Sequence, residues 1–355
     1  MNAIDLFSGA GGFILALRNS GFKVLFANEI NCRCAQTHYY NFPDIPLFEK
    51  DICKLKKNEI LSITHNLPID IVVGGPPCQG FSAFGKRRFV HTKGYNPKED
   101  PRNFLVFEFI RVIKILKPKF FFMENVKGIM SFDKGRFISE ILDRFIKLGY
   151  FNIWHDVVCS ADYGVPQERY RMFMIGNRLG INYNPPTPTH YPSDSGIEPH
   201  YVTVGDVIMD LVEKTDDNVP NHVPLNHKHI VSARMGYVPE GGKLNVYTLP
   251  LELLEATRID SKNGKVSNYS HVYKRLSRSN PATTMVPGHN AFPIHPTLNR
   301  TLTAREAARI QTFPDNHVFF GTRQEQCIQV GNAVPPKMAE PFLLNIRNHI
   351  RESRE

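Results

Sequence analysis

One cysteine of this sequence lies where an apolar run ends and a basic loop begins. Cys78 follows Pro76 and Pro77, which stiffen the backbone and remove two amide donors. The loop at residues 79–102 is polar, contains glycines, and carries a basic cluster of Lys86, Arg87 and Arg88. Positive charge beside a thiol lowers its pKa from the reference value of about 8.5 and raises the thiolate fraction. The pattern favours a nucleophilic Cys78 over an inert cysteine of the core.

A glycine loop near the start of the chain has the features of a nucleoside-cofactor site. The loop joins a short apolar run to a helical pattern and consists of Ser8, Gly9, Gly11 and Gly12 around one alanine. Glycines let a ligand approach the backbone, and a helix start offers free N–H groups. Glu29, about 20 residues further on, is placed to bind ribose hydroxyls. Such a loop serves NAD or S-adenosylmethionine, and a helix-start turn without a ligand is the alternative.

A carboxyl group follows a second strongly apolar run. Glu124 comes directly after Phe120–Phe122 and Met123, and a carboxyl group desolvated there would hold its proton longer than in water. It would then donate a hydrogen bond to a ring nitrogen. The alternative is an ion pair with Arg169 or Arg171.

Strands that alternate with helices must position these residues. Apolar runs predict strands at residues 3–7, 23–27, 47–48, 69–73, 119–123 and 172–175. Helical spacing between these runs, clearest at 104–116 and 137–148, predicts an α/β fold with a mostly parallel sheet and helices on both faces. Ligands of such sheets bind beyond the carboxyl ends of the strands. The residues that follow these strand ends are the glycine loop, Glu29, Asp51, Cys78 and Glu124.

Composition sets further limits on the function. The 355 residues carry a net charge of +9, and residues 223–310 hold 12 Lys and Arg against five Asp and Glu, which favours a polyanionic partner. The apolar runs are far shorter than the ~20 residues of a membrane helix, and the start lacks the pattern of a secretory signal. Six scattered cysteines fit a reducing compartment, and Cys32 and Cys34 lack the further ligands of a zinc site, so we expect no metal.

Six segments together resemble the DNA cytosine-5 methyltransferases of the bacterial modification type. In the family's order they are residues 5–13 (DLFSGAGGF), 74–82 (GGPPCQGFS), 123–128 (MENVKG), 162–176 (DYGVPQERYRMFMIG), 300–314 (RTLTAREAARIQTFP) and 329–336 (QVGNAVPP). The resemblance implies the Rossmann-like fold of S-adenosylmethionine-dependent methyltransferases, with a smaller target-recognition domain. It covers both ends of the chain and fails at about 190–270, the part that reads the DNA target in this family.

The resemblance also assigns roles in the reaction. Cys78 is expected to attack C6 of a cytosine that is flipped out of the duplex, and Glu124 to contact that base. Asn125 is expected to fix the local backbone, and Arg169 and Arg171 to lie beside the base. The loop at 79–102 is then a candidate lid over the flipped nucleotide.

The same resemblance implies a pocket for S-adenosylmethionine. Glu29 is expected to hold the ribose and Asp51 the adenine amino group, although Asn31 stands where an acidic residue often follows in the family. The remaining pocket residues that the resemblance implies are Phe7, Ser8, Gly9, Gly11, Gly12, Ile30, Ile52, Pro76, Leu105, Asn332 and Ala333.

Double-stranded DNA is the partner that the resemblance implies. The candidate DNA-binding residues are Gln79, Ser82, Lys86, Arg87, Arg88, Arg234, Lys243 and Arg275, and basic residues near them include Lys274 and Arg278. We expect a catalytic domain formed by residues 1–190 and 300–355 around a target-recognition domain at 191–299. We also expect a cytoplasmic, nucleoid-associated monomer that works beside a cognate restriction endonuclease without stable association, and no membrane contact.

Three other functions explain part of the sequence. A transfer-RNA cytosine methyltransferase uses similar motifs, but its usual Cys-Phe-Thr signature is missing from the later part of this chain. A non-catalytic repressor on the same scaffold leaves Cys78 and Glu124 unexplained. A nicotinamide-linked dehydrogenase explains the glycine loop and Glu29 but not the segments around Cys78 and Glu124.

Overall fold

The computed structural model describes residues 1–77, 101–214, 219–254, 273–286 and 292–353. These residues divide into two compact units. The first unit comprises residues 1–163, 170–189 and 333–355, and the second comprises 164–169 and 190–332. Each unit is therefore assembled from segments that are distant in the sequence.

The strands and helices occur in an alternating order over the first half of the chain. The strands are β1 (Asn2–Leu6), β2 (Lys23–Asn28), β3 (Leu47–Phe48), β4 (Ile71–Gly74), β5 (Phe120–Val126), β6 (Phe151–Cys159), β7 (Gln167–Glu168), β8 (Tyr170–Asn177) and β9 (Ala282–Thr283). The helices are α1 (Gly12–Asn19), α2 (Cys32–Asn41), α3 (Lys57–Ile63), α4 (Leu105–Leu116), α5 (Arg136–Lys147), α6 (Val204–Ile208), α7 (His229–Gly236), α8 (Ala304–Ile310), α9 (Arg323–Asn332) and α10 (Pro336–Glu352).

A seven-stranded sheet forms the centre of the first unit. Its strand order is β3-β2-β1-β4-β5-β8-β6, and the strands from β3 to β5 run parallel. β8 is antiparallel to both of its neighbours. All residues of β4 and almost all of β5 are buried, as expected for interior strands covered on both faces. The predicted α/β fold with a mostly parallel sheet is confirmed.

The C-terminal helix returns to the beginning of the chain. α10 packs against α1, where Asn19 Nδ2 donates to Glu340 Oε1 at 2.6 Å and Arg347 Nη1 donates to the Ser20 carbonyl at 3.0 Å. Because α1 directly follows β1, this packing places residues 333–352 beside the glycine loop. Both ends of the chain therefore build the same part of the first unit.

Among its described residues, the second unit has short strand pairings and a small apolar core. β7 and β9 pair in parallel, and single bridges join Lys243 to Lys274, Arg275 to Ile294, and Ile294 to Thr301. A small apolar core collects residues from these segments, among them Met235, Leu244, Tyr273 and Ile294.

The observed division differs from the expected domain boundary at residue 300. Residues 300–332 group with the second unit, where the Arg305 guanidinium donates to the carbonyls of Pro220, Pro314 and His317. Arg309 also forms an ion pair with Asp210 at 2.6 Å. These contacts bind α8 to the preceding segments, whereas only the residues from Ala333 onward join the first unit.

Candidate active site

The backbone angles and close contacts of the glycine loop after β1 restrict which residues fit there. Phe7 and Gly9 both adopt positive φ angles, of 60° and 54°, and a Cβ at Gly9 would meet nothing within 4 Å. A Cβ at Gly11 would collide with the Phe42 ring, and one at Gly12 would collide with the Val334 carbonyl. The loop thus leaves open space above Gly9 and packs tightly below its other glycines.

Glu29 closes this loop through backbone hydrogen bonds. Its Oε2 accepts from the Gly9 amide at 2.8 Å, and its Oε1 accepts from the amides of Ile30 and Asn31 at 2.8 Å each. Burial raises the pKa of Glu29, while these amide donors oppose the rise. These hydrogen bonds therefore join the carboxyl end of β2 to the glycine loop.

A second carboxyl group, which the sequence analysis left without a role, lies at the end of β1. Asp5 is fully buried, and neither of its carboxyl oxygens has a hydrogen-bond partner among the described residues. The Ser8 hydroxyl is buried without a partner there as well. Burial and the nearby charge of Glu29 hold the pKa of Asp5 well above its usual range. An acid within an otherwise apolar strand was the signal that could have identified Asp5.

Asp51 lies after β3 at the start of a single helical turn, Ile52–Lys54. Its carboxylate accepts from the Cys53 amide at 2.9 Å, which lowers the pKa of Asp51. The Asn28 amide secures the preceding backbone by donating to the carbonyls of Phe48 and Lys50 at 2.9 Å each. The Asp51 carboxylate is therefore held in place by hydrogen bonds to the main chain.

The remaining residues expected in the pocket differ in their exposure and in the elements that hold them. Ile30 is 66% exposed, whereas Ile52, Pro76 and Ala333 are buried. Asn31 accepts hydrogen bonds from the amides of Arg33 and Cys34 and thereby caps α2, so an amide serves where an acidic residue is common in the family. Leu105 begins α4 and packs on the main core, and the exposed Asn332 ends α9 in the second unit.

Glu124 and Arg171 form an ion pair across two neighbouring strands. The Arg171 Nε lies 2.9 Å from Glu124 Oε1, and both side chains are mostly buried. The antiparallel register of β5 and β8 sets this contact, because it places Arg171 opposite Val126. Of the two arginines that the sequence offered as partners, the structure selects Arg171 as the ion-pair partner of Glu124.

Asn125 connects this ion pair to the backbone that leads to Cys78. Its Nδ2 donates to the Pro76 carbonyl at 3.2 Å, and its Oδ1 accepts from the Val126 amide at 2.9 Å. On the same edge, a Cβ at Gly75 would lie 2.9 Å from Glu124 Oε2. The segment that enters Cys78 therefore lies directly against Glu124.

Arg169 makes a different set of contacts from Arg171. Arg169 is 1% exposed, and its Nη1 donates to the Gly331 carbonyl at 3.0 Å, with Nη2 at 3.4 Å from the Asn332 carbonyl. Its charge therefore stabilises the carboxyl end of α9, where free carbonyls favour a cation. Within the second unit, Arg169 fixes the segment that leads to Ala333.

Two of the arginines expected to bind DNA are buried structural residues instead. Arg275 is 5% exposed and donates at 2.6–2.8 Å to the carbonyls of Met235, Val238, His295 and Leu298 and to the Asn299 side chain. Arg234 is 2% exposed and donates to the Leu253 carbonyl. Buried guanidinium groups need such partners, and these contacts keep both groups away from a DNA surface.

The structure describes only some of the other residues that we expected to bind DNA. Lys243 is exposed, and Arg278 is exposed but forms an ion pair with Glu240 at 3.0 Å. Cys78, Gln79, Ser82, Lys86, Arg87 and Arg88 lie outside the described residues. Within the described ranges, no helix is long and apolar enough to cross a membrane, and no group of three or more His, Cys, Asp or Glu residues could hold a metal ion.

The fold and the site together define an α/β protein with a glycine loop after β1 and a carboxylate–guanidinium pair between β5 and β8. Residues 1–348 match the family model of C-5 cytosine-specific DNA methylases. The Type II methyltransferase M1.HphI of Haemophilus parahaemolyticus is 38% identical over 95% of this chain and 84% of its own length. The Type II methyltransferase M.DdeI of Desulfomicrobium norvegicum is 32% identical over 96% of this chain and 87% of its own.

A solved structure extends this similarity to the fold. A protein described as a DNA modification methyltransferase encoded within an E. coli prophage aligns with a TM-score of 0.76 and 27% identity, covering 99% of each chain. The chain belongs to the C-5 cytosine-specific DNA methylase family, and the predicted resemblance is confirmed. It is a DNA cytosine-5 methyltransferase, and membership of this family implies S-adenosylmethionine as the methyl donor.

Proposed function

We propose that this enzyme methylates C5 of a cytosine flipped out of a specific double-stranded DNA site, as the modification enzyme of a restriction-modification system. The observation that carries the proposal is the Glu124–Arg171 ion pair, which Asn125 joins to the backbone entering Cys78. That arrangement supplies a carboxyl group and a cation beside the residues that directly precede Cys78 in the sequence. The similarity to two Type II methyltransferases supports the restriction-modification context.

The described residues of the first unit fit S-adenosylmethionine. Open space above Gly9 suits a ligand that approaches the backbone, and Glu29 would hold the ribose hydroxyls. The buried, unpartnered carboxyl group of Asp5 would pair with the ammonium group of the methionine part. Asp51 would bind the adenine amino group beside the exposed Ile30. Phe7, Ser8, Gly11, Gly12, Ile52, Pro76, Leu105, Asn332 and Ala333 would complete the pocket.

Three side chains of the enzyme would drive the reaction. Bound S-adenosylmethionine supplies the methyl group as an electrophile. Attack of the Cys78 thiolate on C6 of cytosine turns the ring into an enamine with electron density at C5. Glu124 would share a proton with N3 and so stabilise the charge that develops on the ring; for this contact its carboxyl group would give up part of its pairing with Arg171, which keeps it oriented. C5 would then take the methyl group, with S-adenosylhomocysteine as the leaving group, and loss of the C5 proton to solvent with elimination of the Cys78 thiolate would restore aromaticity.

Arg169 has a positioning role in this proposal. Its contacts to the carbonyls of Gly331 and Asn332 would fix the backbone that directly precedes Ala333. The first unit would act as the catalytic domain and residues 190–332 would read the DNA target. The basic loop at 79–102 would close over the flipped nucleotide, with Gln79, Ser82, Lys86, Arg87 and Arg88 facing the DNA.

The cellular setting follows from the same function. We expect a monomer in the cytoplasm, associated with the nucleoid, that protects host DNA from a cognate restriction endonuclease without binding that enzyme stably.

Labelled S-adenosylmethionine separates this function from its rivals. Incubation of the protein with duplex DNA should label the DNA at cytosine C5, and incubation with transfer RNA should give no label. Label in transfer RNA alone would identify an RNA methyltransferase, and DNA binding without transfer would identify a repressor. Bisulfite sequencing of DNA from an expressing host should then reveal one recurring target sequence.

A further inference from the structure

Two lysines of the second unit face each other on a short antiparallel ribbon. Lys243 pairs with Lys274, with the Leu244 amide donating to the Tyr273 carbonyl and the Arg275 amide donating to the Gly242 carbonyl, both at 3.0 Å. These hydrogen bonds flank the two lysines, which therefore form the non-hydrogen-bonded type of pair. In this type the opposed side chains lie closest together.

The ribbon has one buried face and one open face. Leu244, Tyr273 and Arg275 are buried, and the first two belong to the core of the second unit. Since successive side chains of a strand point to opposite faces, Lys243 and Lys274 share the other face. Lys243 is exposed there and Lys274 is half-buried. The anchored inner face prevents the two lysines from separating by a slip of the ribbon.

The opposed ammonium groups repel each other, and no acid among the described residues forms an ion pair with either of them. Like charges directly opposite on antiparallel strands are destabilising. Burial and the charge of Lys243 lower the pKa of Lys274, and the carboxylate of Glu168 opposes this only through a longer-range attraction. Within the part of the chain that the structure describes, neither lysine forms an ion pair. An anion between the two ammonium groups would relieve the repulsion.

We propose that Lys243 and Lys274 together bind one phosphate group of the DNA backbone. The proposal rests on the proposed function, which makes duplex DNA the substrate of the second unit. Nearby cations are already used within the protein: Arg275 and Arg234 bind main-chain carbonyls, and Arg278 pairs with Glu240. The lysine pair thus positions the duplex through its backbone and carries no base specificity.

Salt-dependent DNA binding by the full-length enzyme tests this site. Fluorescence anisotropy with a labelled duplex would compare wild type with Lys243→Gln, Lys274→Gln and the double variant between 50 and 300 mM KCl. The double variant should bind about tenfold more weakly at low salt, equally for target and non-target duplexes, and lose about one unit of the log–log salt slope. Because both lysines serve one phosphate, the two single effects should not add.

Three controls keep the result interpretable. The Arg278→Gln variant, whose charge is already paired, should retain wild-type affinity and slope. The Lys243→Arg, Lys274→Arg double variant should restore binding, and the melting temperature of the Gln double variant should equal or exceed that of wild type because a repulsion is removed. Inorganic phosphate should compete no better than chloride at equal ionic strength; strong competition by phosphate alone would indicate a site for the free anion and overturn the proposal.

The proposal and the proposed function fail in different ways. Wild-type affinity and salt slope in the Gln double variant, with normal DNA methylation by the wild-type enzyme, would remove the phosphate site and leave the function intact. Failure of the wild-type enzyme to methylate duplex DNA would remove the function itself.

Discussion

Two regions of the molecule use charged residues in opposite ways. One is the carboxyl end of the parallel strands in the first unit, where Asp5, Glu29, Asp51 and Glu124 lie, here called the catalytic edge. The other is the antiparallel ribbon of the second unit that carries Lys243 and Lys274, here called the lysine ribbon. At the catalytic edge, Glu124 and Arg171 are mostly buried and pair with each other, and the buried Asp5 carboxyl group has no hydrogen-bond partner among the residues that the structure describes. In the second unit, the buried Arg275 is saturated by main-chain acceptors, while Lys243 and Lys274 stay unpaired on an open face among the described residues.

The comparison shows that the role of a charged side chain depends on its hydrogen-bond and ion-pair partners. A buried ionisable group whose hydrogen bonds are satisfied by carbonyls is a structural element, because its removal leaves those acceptors unpaired. A buried group without partners, or a pair of like charges, costs stability and so marks a place for a ligand. By this criterion Asp5 and the lysine pair belong with ligands, and Arg275 does not.

The largest effect is expected for the nucleophile. Replacement Cys78→Ala should lower methyl transfer by roughly 10⁴-fold or more, because no other group can activate C5 through attack on C6. DNA binding, measured by anisotropy, should stay close to wild type. The matched variant Cys32→Ala, at an exposed cysteine on α2, should keep full activity. Methylation at the wild-type rate by Cys78→Ala would remove Cys78 from the mechanism.

The second-largest effect is expected for the carboxyl group of Glu124. Replacement Glu124→Gln should slow single-turnover transfer by about 10²–10⁴-fold, because an amide cannot hold the proton at N3. Cofactor binding, measured by calorimetry, should persist. Glu140→Gln is the control, since Glu140 forms an exposed ion pair with Arg144 on α5. A single-turnover rate near wild type for Glu124→Gln would contradict the assigned role.

The catalytic edge was more predictable from the sequence than the second unit, for a topological reason. Because parallel strands are connected by helices, their carboxyl ends all lie at the same end of the sheet. The positions of Glu29, Asp51 and Glu124 after their strands were therefore enough to predict that they lie at that end. The sequence left open whether Arg169 or Arg171 pairs with Glu124, and only the register of β5 and β8 decides between them. The edge strand β6 escaped prediction because most of its residues are not buried and it lacks an alternating pattern.

Burial of individual arginines could not be predicted from local sequence. Arg275 follows Lys274 directly, and only strand pairing turns one inward and the other outward. The acceptors of Arg275 come from residues 235, 238, 295 and 298, whose proximity arises only in the folded unit. Net charge therefore indicated a DNA partner for the region but could not select its contact residues.

Stability should distinguish the buried arginine from an exposed one. Replacement Arg275→Met should destabilise the protein by about 3 kcal/mol, because several buried carbonyls lose their donor. For 355 residues that unfold together, that loss lowers the melting temperature by roughly 4 °C. Arg278→Met should change it little, since an exposed ion pair contributes little. A normal melting temperature for Arg275→Met, with weakened DNA binding, would return Arg275 to the DNA-contacting residues.

The smallest effect is expected at Asp5, where stability and binding should change in opposite directions. Burial raises the pKa of Asp5 in the folded protein above its unfolded value of about 3.9, so ionisation opposes folding. Stability from this group is present at low pH and is lost as pH rises through the folded pKa. Because asparagine carries no charge, the melting temperature of Asp5→Asn relative to wild type should rise with pH above about 4 when no cofactor is present.

Cofactor binding should reverse that advantage. If the Asp5 carboxylate pairs with the ammonium group of S-adenosylmethionine, Asp5→Asn should bind it about tenfold more weakly, as calorimetry would measure. Saturating cofactor should then raise the melting temperature of wild type more than that of the variant, since ligand stabilisation follows affinity. Asp143→Asn, at an exposed position on α5, should match wild type in both measurements. Equal affinity in Asp5→Asn and wild type would show that the buried carboxyl group does not contact the cofactor, and its cost to stability would then need another explanation.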